Sequence, residues 1–136
     1  AVSEDEIIQF ARQFDPQYFH TDPARAVTGP FGGLIASGWH TASMMMRLYA
    51  DHYLSTVASL GSPGIDELRW LRPVRPGDRL SVRATITEAK RSRSKPDRGM
   101  VRAFIEVLNQ DREVVMSVKV VTLLLCRTPG TPENAK

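Results

Sequence analysis

The sequence predicts an α+β fold in which an antiparallel β-sheet wraps around one long central helix. Residues 34–54 read LIASGWHTASMMMRLYADHYL and are apolar almost all round, as is typical of a largely buried helix. From residue 79 onward, apolar residues recur at every second position, as is typical of half-buried strands. A buried helix needs a cover, and the strands that follow it in the chain can provide one.

The first helix is marked at both ends. Ser3 can cap it, and Glu6 completes a capping box three residues later. Because Pro16 disfavours helical backbone at the residue before it, we expect the helix to end near Phe14 and to leave Asp15 in a loop.

Two features lead from this loop to the core helix. Pro23 suits the first position of a short helix, which either Thr21 or Asp22 can cap. The sequence TGPFGG then breaks regular structure. If Ser37 caps the core helix, Gly38 is its first residue.

Four strands are predicted in the second half of the chain. A short strand at residues 65–70 precedes the turn RPVRPGD. RLSVRATIT at residues 79–87 and MVRAFIEVL at residues 100–108 alternate between apolar and polar side chains. VVMSVKVVTLLL at residues 114–125 reads as a long final strand, and the last three strands pair naturally as an antiparallel meander.

Length and composition indicate one globular domain. The chain has 136 residues, of which 42% are hydrophobic and 24% charged, which suffices for a core without disulfides or metals. We expect residues 1–127 to form that domain and residues 128–136, TPGTPENAK, to be a disordered tail. No apolar run is long enough to cross a bilayer, so the sequence predicts a soluble protein without a membrane partner.

Charge and cysteine content narrow the class of protein further. The formal net charge of +3 is too small to indicate a nucleic-acid binder, although clustered basic residues would favour anionic ligands. The single cysteine, Cys126, excludes an intrachain disulfide and fits a reducing compartment. With no visible secretory signal, a cytoplasmic location is expected. No spacing matches a recognised metal-ligand pattern, so no metal site is predicted.

A carboxylate and an imidazole stand close together in residues 14–22, FDPQYFHTD. Asp15 and His20 could act together as an acid–base pair. An aspartate before a proline is also a common turn starter, and a lone histidine in a loop is more often solvated than catalytic. The spacing alone therefore leaves both interpretations open.

Further segments accompany this pair: the run His20–Thr21–Asp22, then FGGLIASGWHTAS, then LRWLRPVRPGDRLSVRATI. Together with the preceding helix they resemble the MaoC-like dehydratase family, which has the hot-dog fold and includes the R-specific enoyl-CoA hydratases. The resemblance covers residues 3–125.

The family's motif places an aromatic residue before a Gly-Asp-x-Asn-Pro-x-His-x-Asp stretch. The positions that match it are Phe10, Asp15, His20 and Asp22. The usual glycine, asparagine and proline are replaced here by Phe14, Gln17 and Tyr18.

The resemblance implies that Asp15 and His20 are catalytic and that the backbone amide of Gly38 binds an oxyanion. Hydrating a double bond next to a thioester needs an activated water, a proton for the α-carbon and stabilisation of charge on the thioester oxygen. Asp15 would accept a proton from the water that His20 holds. Gly38 suits the third task, because the first amide of a helix lacks an intrahelical acceptor and glycine leaves a ligand unobstructed.

The implied substrate is a 2-enoyl thioester of coenzyme A or of an acyl carrier protein, and no metal or redox cofactor is implied. The residues predicted to contact the acyl thioester are Phe19, Ser37 and Trp39. How deep the acyl pocket is depends on how such side chains pack, so the sequence leaves the chain length open.

The segment KRSRSKPDR at residues 90–98 concentrates basic residues in one loop between strands. Such a cluster suits the phosphates of coenzyme A, and we predict that either Arg93 and Lys95 or Arg72 and Arg75 bind them, within one chain or across a subunit interface. A basic loop is also often just the solvated tip of a hairpin. No aromatic residue interleaves with these positions, which argues against nucleic-acid binding.

Two other functions fit the same residues. In a thioesterase of this fold, Asp15 would direct water to the thioester carbonyl and a free thiol would be released. A binding module would hold acyl-CoA without turnover, which the three departures from the motif leave open. Hot-dog domains usually pair through their sheets and central helices, so the resemblance also implies a homodimer or a higher homo-oligomer.

Overall fold

The computed structural model describes residues 1–53, 60–92, 94–95 and 97–125. Arg93, Cys126 and the tail predicted at residues 128–136 lie outside these ranges. The described helices are α1 (Glu4–Phe14), α2 (Tyr18–Thr21), α3 (Pro23–Ala26) and α4 (Gly38–His52). The described strands are β1 (Gly64–Trp70), β2 (Ser81–Arg91), β3 (Arg98–Leu108) and β4 (Val114–Leu125).

The four strands form one antiparallel sheet in the order β1-β4-β3-β2. β2, β3 and β4 follow one another as a meander, with Thr85 opposite Phe104 and Phe104 opposite Lys119. β1 pairs with the free side of β4, where Ile65 lies opposite Val120. The predicted antiparallel sheet of four strands is therefore confirmed, and β1 and β2 are its edges in the described part of the chain.

Helix α1 begins and ends as predicted. The Ser3 hydroxyl accepts a hydrogen bond from the Glu6 amide at 3.1 Å, and the helix stops at Phe14. Val2, just before the helix, is buried, and its N–H donates to the Asp78 carbonyl at 2.8 Å. The start of α1 is thus fixed to the turn before β2, and its far end carries the loop of interest.

The central helix α4 is shorter than its apolar sequence predicts. It spans Gly38–His52, whereas the apolar run predicts a helix from Leu34. The amides of residues 35 and 36 donate instead to the carbonyls of Phe19 and Val74. These bonds hold the segment before α4 against two other parts of the chain, and the helix starts only after it.

Helix α4 covers one face of the sheet but is not buried all round. Met45 and Tyr49 belong to the buried core, whereas Met46 is 45% exposed and Trp39 is 58% exposed. The prediction of a largely buried helix is therefore wrong for the single chain, because one sheet can cover only one side of it. None of the described helices is long and apolar enough to cross a membrane.

The core lies between α4 and the inner face of the sheet. Its fully buried side chains come mainly from β3 and β4 and include Ile105, Val107 and Val118. In β2 the predicted alternation holds as far as Ala84, which packs against the core, but Ile86 is 59% exposed. The pairing of β2 with β3 shifts register just after Ile86, so the strand leaves the core at that point.

Candidate active site

The turn after α1 fixes the backbone on both sides of Asp15. Its N–H donates to the Ala11 carbonyl and its carbonyl accepts from the Gln17 amide, both at 2.8 Å. Pro16, between these two bonds, has no N–H with which to continue the helix, so the chain turns here. The Asp15 side chain is 17% exposed. Its carboxylate is shielded from most of the solvent but can still be reached.

His20 is held by the one-turn helix α2 and by the segment before α4. Its Nδ1 lies 2.7 Å from the Ile35 carbonyl oxygen, which can only accept, so Nδ1 carries a hydrogen. The other ring nitrogen, Nε2, lies 3.4 Å from Asp15 Oδ2. The side chain is only 5% exposed. The hydrogen bond and the burial together orient Nε2 toward the carboxylate.

Asp15 Oδ2 and His20 Nε2 face each other as two hydrogen-bond acceptors when the imidazole is neutral. One water molecule can donate to both, since its two O–H bonds diverge. A proton on Nε2 would instead make an imidazolium next to a carboxylate, which is a charge-assisted pair. In either state the two side chains can take a proton from, or give a proton to, the same small volume, which is what acid–base catalysis requires.

Two neutral donors hold the Asp15 carboxylate. Ser37 Oγ donates to Oδ2 at 2.6 Å, and Gln17 Nε2 donates to Oδ1 at 2.7 Å. Burial of Asp15 opposes its ionisation, but the two hydrogen bonds and the charge of His20 outweigh it, so the pKa of Asp15 lies below its ordinary value. The carboxylate is therefore ionised near neutral pH and can accept a proton.

Gly38 is the first residue of α4, and Ser37 caps the helix through a 3.3 Å bond from the Trp39 amide. The Gly38 N–H has no acceptor within the helix and lies at the positive end of its dipole. Trp70 adds a second reason for glycine at this position. Its indole Nε1 donates to the Gly38 carbonyl at 2.8 Å, and a Cβ on Gly38 would overlap the indole ring. A side chain here would collide with Trp70 even without a ligand.

These groups line one cleft of about 490 Å³. Phe19 and Phe31 contribute to its wall, with ring centroids 5.3 Å apart, and Phe19 stands edge-on to His20 at 4.5 Å. Trp39 and Trp70 also line it and meet edge to face at 5.0 Å. The cleft therefore combines four aromatic side chains with a carboxylate, an imidazole and the guanidinium of Arg72.

The structure places the residues that were predicted to contact substrate in different environments. Phe19 and Trp39 line the cleft. Ser37 is fully buried, and its hydroxyl donates to the Asp15 carboxylate, so it supports that group instead of facing a ligand. Lys95 lies beside a different cavity between β2 and β3, and Arg93 lies outside the described residues. The described part of the basic loop does not line the cleft within one chain.

The three departures from the family motif leave the pair of side chains assembled. The amide of Gln17 is one of the two donors to Asp15. Tyr18 packs under the guanidinium of Arg25, which lies 4.3 Å from its ring centroid. Phe14 is 63% exposed at the end of α1. None of the three stands between the carboxylate and the imidazole.

Trp70 and the Ile35 carbonyl take part in the site although the sequence carries no local signal for either. Trp70 contacts Gly38 across 32 positions of the chain. Ile35 fixes the His20 tautomer through its backbone, which any residue type could do. Only the segment LRWLRP, already part of the family resemblance, indicates that the region of Trp70 matters.

His40 is the third residue of α4 and is not among the residues that line the cleft. Its ring stacks on Phe10 of α1, with centroids 4.8 Å apart and planes 11° from parallel. It is 7% exposed, and its Nδ1 lacks a hydrogen-bond partner among the described residues. Burial lowers the pKa of His40, although the nearby Glu6 acts in the opposite direction. A neutral ring thus joins the helix that ends at Asp15 to the helix that begins at Gly38.

Comparison with known proteins decides the family. The family model described as "MaoC like domain" matches residues 1–107. The chain belongs to the MaoC-like dehydratase family. Membership places it broadly among hydratases and dehydratases, and its sheet with a helix across one face is the hot-dog fold, as predicted.

Individual relatives of this MaoC-like protein agree with that assignment. A solved MaoC-like dehydratase from Rhodospirillum rubrum is 41% identical with a TM-score of 0.86, covering 93% of this chain and 86% of that one. The 3-hydroxyacyl-thioester dehydratase Z of Mycobacterium tuberculosis is 37% identical over 86 residues, or 62% of this chain and 56% of that protein. An uncharacterised protein of Bacillus subtilis is 29% identical over 80% of this chain and 76% of its own length.

Proposed function

We propose that this MaoC-like protein adds water reversibly to the double bond of a 2-enoyl thioester of coenzyme A or of an acyl carrier protein. The central observation is that Asp15 Oδ2 and His20 Nε2 meet at 3.4 Å inside an apolar cleft. Gly38, the first residue of α4, lines the same cleft. Water, its activating groups and an oxyanion site can therefore act on one bound thioester.

The chemical steps follow from the two facing acceptors. Water would donate one hydrogen bond to Asp15 and one to His20, and its oxygen would bond to the β-carbon of the thioester. One water proton passes to this pair as the π electrons shift toward the carbonyl, and the pair then returns a proton to the α-carbon. The hydroxyl and the hydrogen of one water are then both on the product. Run backward, the same steps dehydrate a 3-hydroxyacyl thioester.

Gly38 would stabilise the negative charge that reaches the thioester oxygen in the transition state. Its N–H is free of helical partners and is backed by the helix dipole. In other enzymes, loss of one oxyanion donor costs about 2.7–4 kcal/mol of transition-state stabilisation. The indole of Trp70 holds the Gly38 carbonyl, so the first turn of α4 is fixed before substrate arrives.

The relatives support the class of reaction. The name 3-hydroxyacyl-thioester dehydratase Z describes loss of water from the kind of product proposed here. The match covers 56% of that protein, so its own substrate does not transfer to this chain. The aromatic side chains of Phe19, Phe31 and Trp39 in the cleft wall suit an acyl group of unspecified length.

Ultraviolet absorbance of short and medium 2-enoyl-CoA substrates tests the proposal, with a thiol reagent in a parallel assay. We expect absorbance to fall without thiol release, and Asp15→Asn and His20→Ala to abolish the change. Matched controls are Asp66→Asn and His52→Ala, since both side chains are exposed and neither lines the cleft. Thiol release would favour a thioesterase. A folded protein that binds acyl-CoA without reaction would favour a binding module.

Addition of water to a double bond involves no net oxidation or reduction, so the proposed reaction requires no redox cofactor, and the family resemblance implies no metal. In the ranges that the structure describes, no three His, Cys, Asp or Glu side chains are grouped as metal ligands would be. The absence of a cofactor and the cytoplasmic location both stay predictions. Activity that persists after treatment with chelator and dialysis would support the first of them.

We also propose a homodimer, for which the edge strand β1 gives the argument. Ile65, Trp70 and Leu71, on or next to this strand, are 53%, 46% and 53% exposed. Large apolar side chains exposed along an edge strand favour contact with another chain, and a second copy would cover them. Sedimentation equilibrium should give twice the chain mass of 15.2 kDa, and a monomer at assay concentrations would contradict the dimer.

A further inference from the structure

We propose that Arg72 is the anion-binding residue of the cleft, and that its guanidinium takes a phosphate or carboxylate group of the thioester substrate in exchange for Glu113. The inference rests on the proposed function, since it concerns the same cleft and the same ligand. It assigns the residue of this chain that would meet an anionic oxygen group of that substrate.

Arg72 is available because its present partner holds it weakly. Arg72 Nη1 lies 3.1 Å from Glu113 Oε2, and the two side chains are 58% and 39% exposed. An ion pair this exposed contributes little to stability, so breaking it costs little. Glu113 also accepts a hydrogen bond from Asn109 Nδ2 at 3.1 Å through its other oxygen. It would keep that partner after Arg72 turns to a ligand.

Arg72 is also the one arginine or lysine that lines the cleft in the described part of the chain. Arg75, the other arginine of the same turn, is committed elsewhere, since its Nη2 donates to the Phe31 carbonyl at 2.7 Å. Lys95 of the basic loop lines a separate cavity. Of the described basic residues predicted to meet the substrate's phosphates, the cleft therefore favours Arg72.

The backbone and the exposure of Arg72 fit a role at the open side of the cleft. The amides of Leu71 and Arg72 both donate to the Val115 carbonyl, at 2.9 and 3.3 Å, which fixes the residue to strand β4. The side chains of Asp15 and His20 are 17% and 5% exposed, against 58% for Arg72. A thioester with its reacting carbons at the buried pair would leave a charged group nearer the solvent, where a guanidinium can bind it bidentately.

Calorimetric binding of three unreactive ligands tests the inference without relying on turnover. The probes are butyryl-CoA, which has phosphates, S-butyryl-pantetheine, which has no anionic group, and S-glutaryl-pantetheine, which has a carboxylate only. The variants are Arg72→Gln and Glu113→Gln. Arg83→Gln is the matched control, because Arg83 is similarly exposed and paired with Glu106 but does not line the cleft.

We expect Arg72→Gln to weaken at least one anionic ligand about 10-fold and to leave S-butyryl-pantetheine unchanged. Glu113→Gln should act in the opposite direction and tighten the same ligand about 2-fold to 5-fold, because it removes the competing carboxylate. Arg83→Gln should change none of the three. Weakening of butyryl-CoA alone identifies the anion as phosphate, and weakening of S-glutaryl-pantetheine identifies it as carboxylate.

Equal weakening of all three ligands by Arg72→Gln would overturn the inference, as would no change in any of them or no binding of any ligand to the wild-type protein. Failure of the proposed function shows differently. If the protein binds butyryl-CoA through Arg72 but hydrates no 2-enoyl thioester, the anion site is supported and the hydratase proposal is contradicted. If the wild-type protein hydrates 2-enoyl thioesters and Arg72→Gln binds all three ligands as the wild type does, the hydratase proposal is supported and the anion site is contradicted.

Discussion

Two carboxylates in different regions of this protein have lowered pKa values for different reasons. Asp15 lies in the cleft, where a hydroxyl and an amide donate to it and His20 faces it. Glu67 lies on the edge strand β1, where hydrogen bonds from Lys119 and Arg69, at 2.9 and 2.6 Å, lower its pKa to about 2. Asp15 is stabilised by two neutral donors together with His20, whereas Glu67 is stabilised by a lysine and an arginine.

The difference shows that a lowered pKa does not by itself mark a reactive group. Each oxygen of Glu67 is bound to a cation, and its side chain is 43% exposed, so the group is satisfied and solvated. Asp15 Oδ2 faces His20 Nε2 in a sheltered cleft, and with the imidazole neutral both atoms can accept a hydrogen from one water molecule.

The largest expected effect separates these two carboxylates directly. Asp15→Asn should lower kcat/KM for enoyl-CoA hydration about 100-fold to 10,000-fold, because it removes the proton acceptor while keeping the shape. Glu67→Gln should change kcat/KM less than about 2-fold, because solvent and salt screen the effect of this exposed charge on the cleft. Steady-state kinetics on both variants measures this. Equal losses would remove the distinction drawn between the two groups.

The next effect concerns two glycines, one in each region. Gly38→Ala should lower the free energy of unfolding by about 1–3 kcal/mol, because the new Cβ meets the Trp70 indole. Gly64→Ala, in β1, should cost little, since no atom lies within 4 Å of its new Cβ. Urea unfolding measures both. In a Trp70→Ala background, Gly38→Ala should no longer lower the free energy of unfolding. If it still does, contact with the Trp70 indole is not the reason for glycine at position 38.

Two helix-capping serines offer a third, smaller comparison. Ser37→Ala and Ser3→Ala each remove an N-cap and should each cost about 0.5–2 kcal/mol of stability. Only Ser37 also donates to Asp15. Without that bond the pKa of Asp15 should rise, so the acidic limb of the kcat/KM profile should move to higher pH in Ser37→Ala alone. Identical profiles for both variants would show that Ser37 acts only as a cap.

The smallest effect is a pH dependence of stability from His40. Burial lowers its pKa in the folded state, so below about pH 6.5 the unfolded chain binds a proton that the folded chain binds less readily. Stability should therefore fall as pH drops through that range. His40→Phe, which can keep the stacking on Phe10, should flatten the decline, whereas His52→Phe at the exposed end of α4 should not. Chemical unfolding at several pH values measures the slopes.

The parts of this structure that could be predicted depend on local rules. The Ser3 cap, the stop near Phe14 and the three meander strands follow from capping chemistry, proline sterics and the two-residue period of a half-buried strand. The loop position of Asp15 follows from the same proline. Its meeting with His20 rested on the family resemblance, because spacing alone left catalysis open.

The parts that could not be predicted depend on contacts distant in sequence. The apolar run before Gly38 reads as helix, but its amides bind carbonyls of Phe19 and Val74, which no periodicity reveals. Trp70 reaches Gly38 from another element, so the reason for glycine there is partly packing. Ile86 has the right period for the core yet lies where the strand pairing shifts.

Hydration in ¹⁸O-labelled water tests the central claim most directly. We expect mass spectrometry of the product from crotonyl-CoA to show one labelled oxygen in the hydroxyl group of an intact 3-hydroxyacyl thioester, with no such product from Asp15→Asn. Label in a free carboxylic acid together with released coenzyme A would mean that water attacks the carbonyl. That result would contradict the account of Asp15 and His20 as the groups that direct water to the β-carbon.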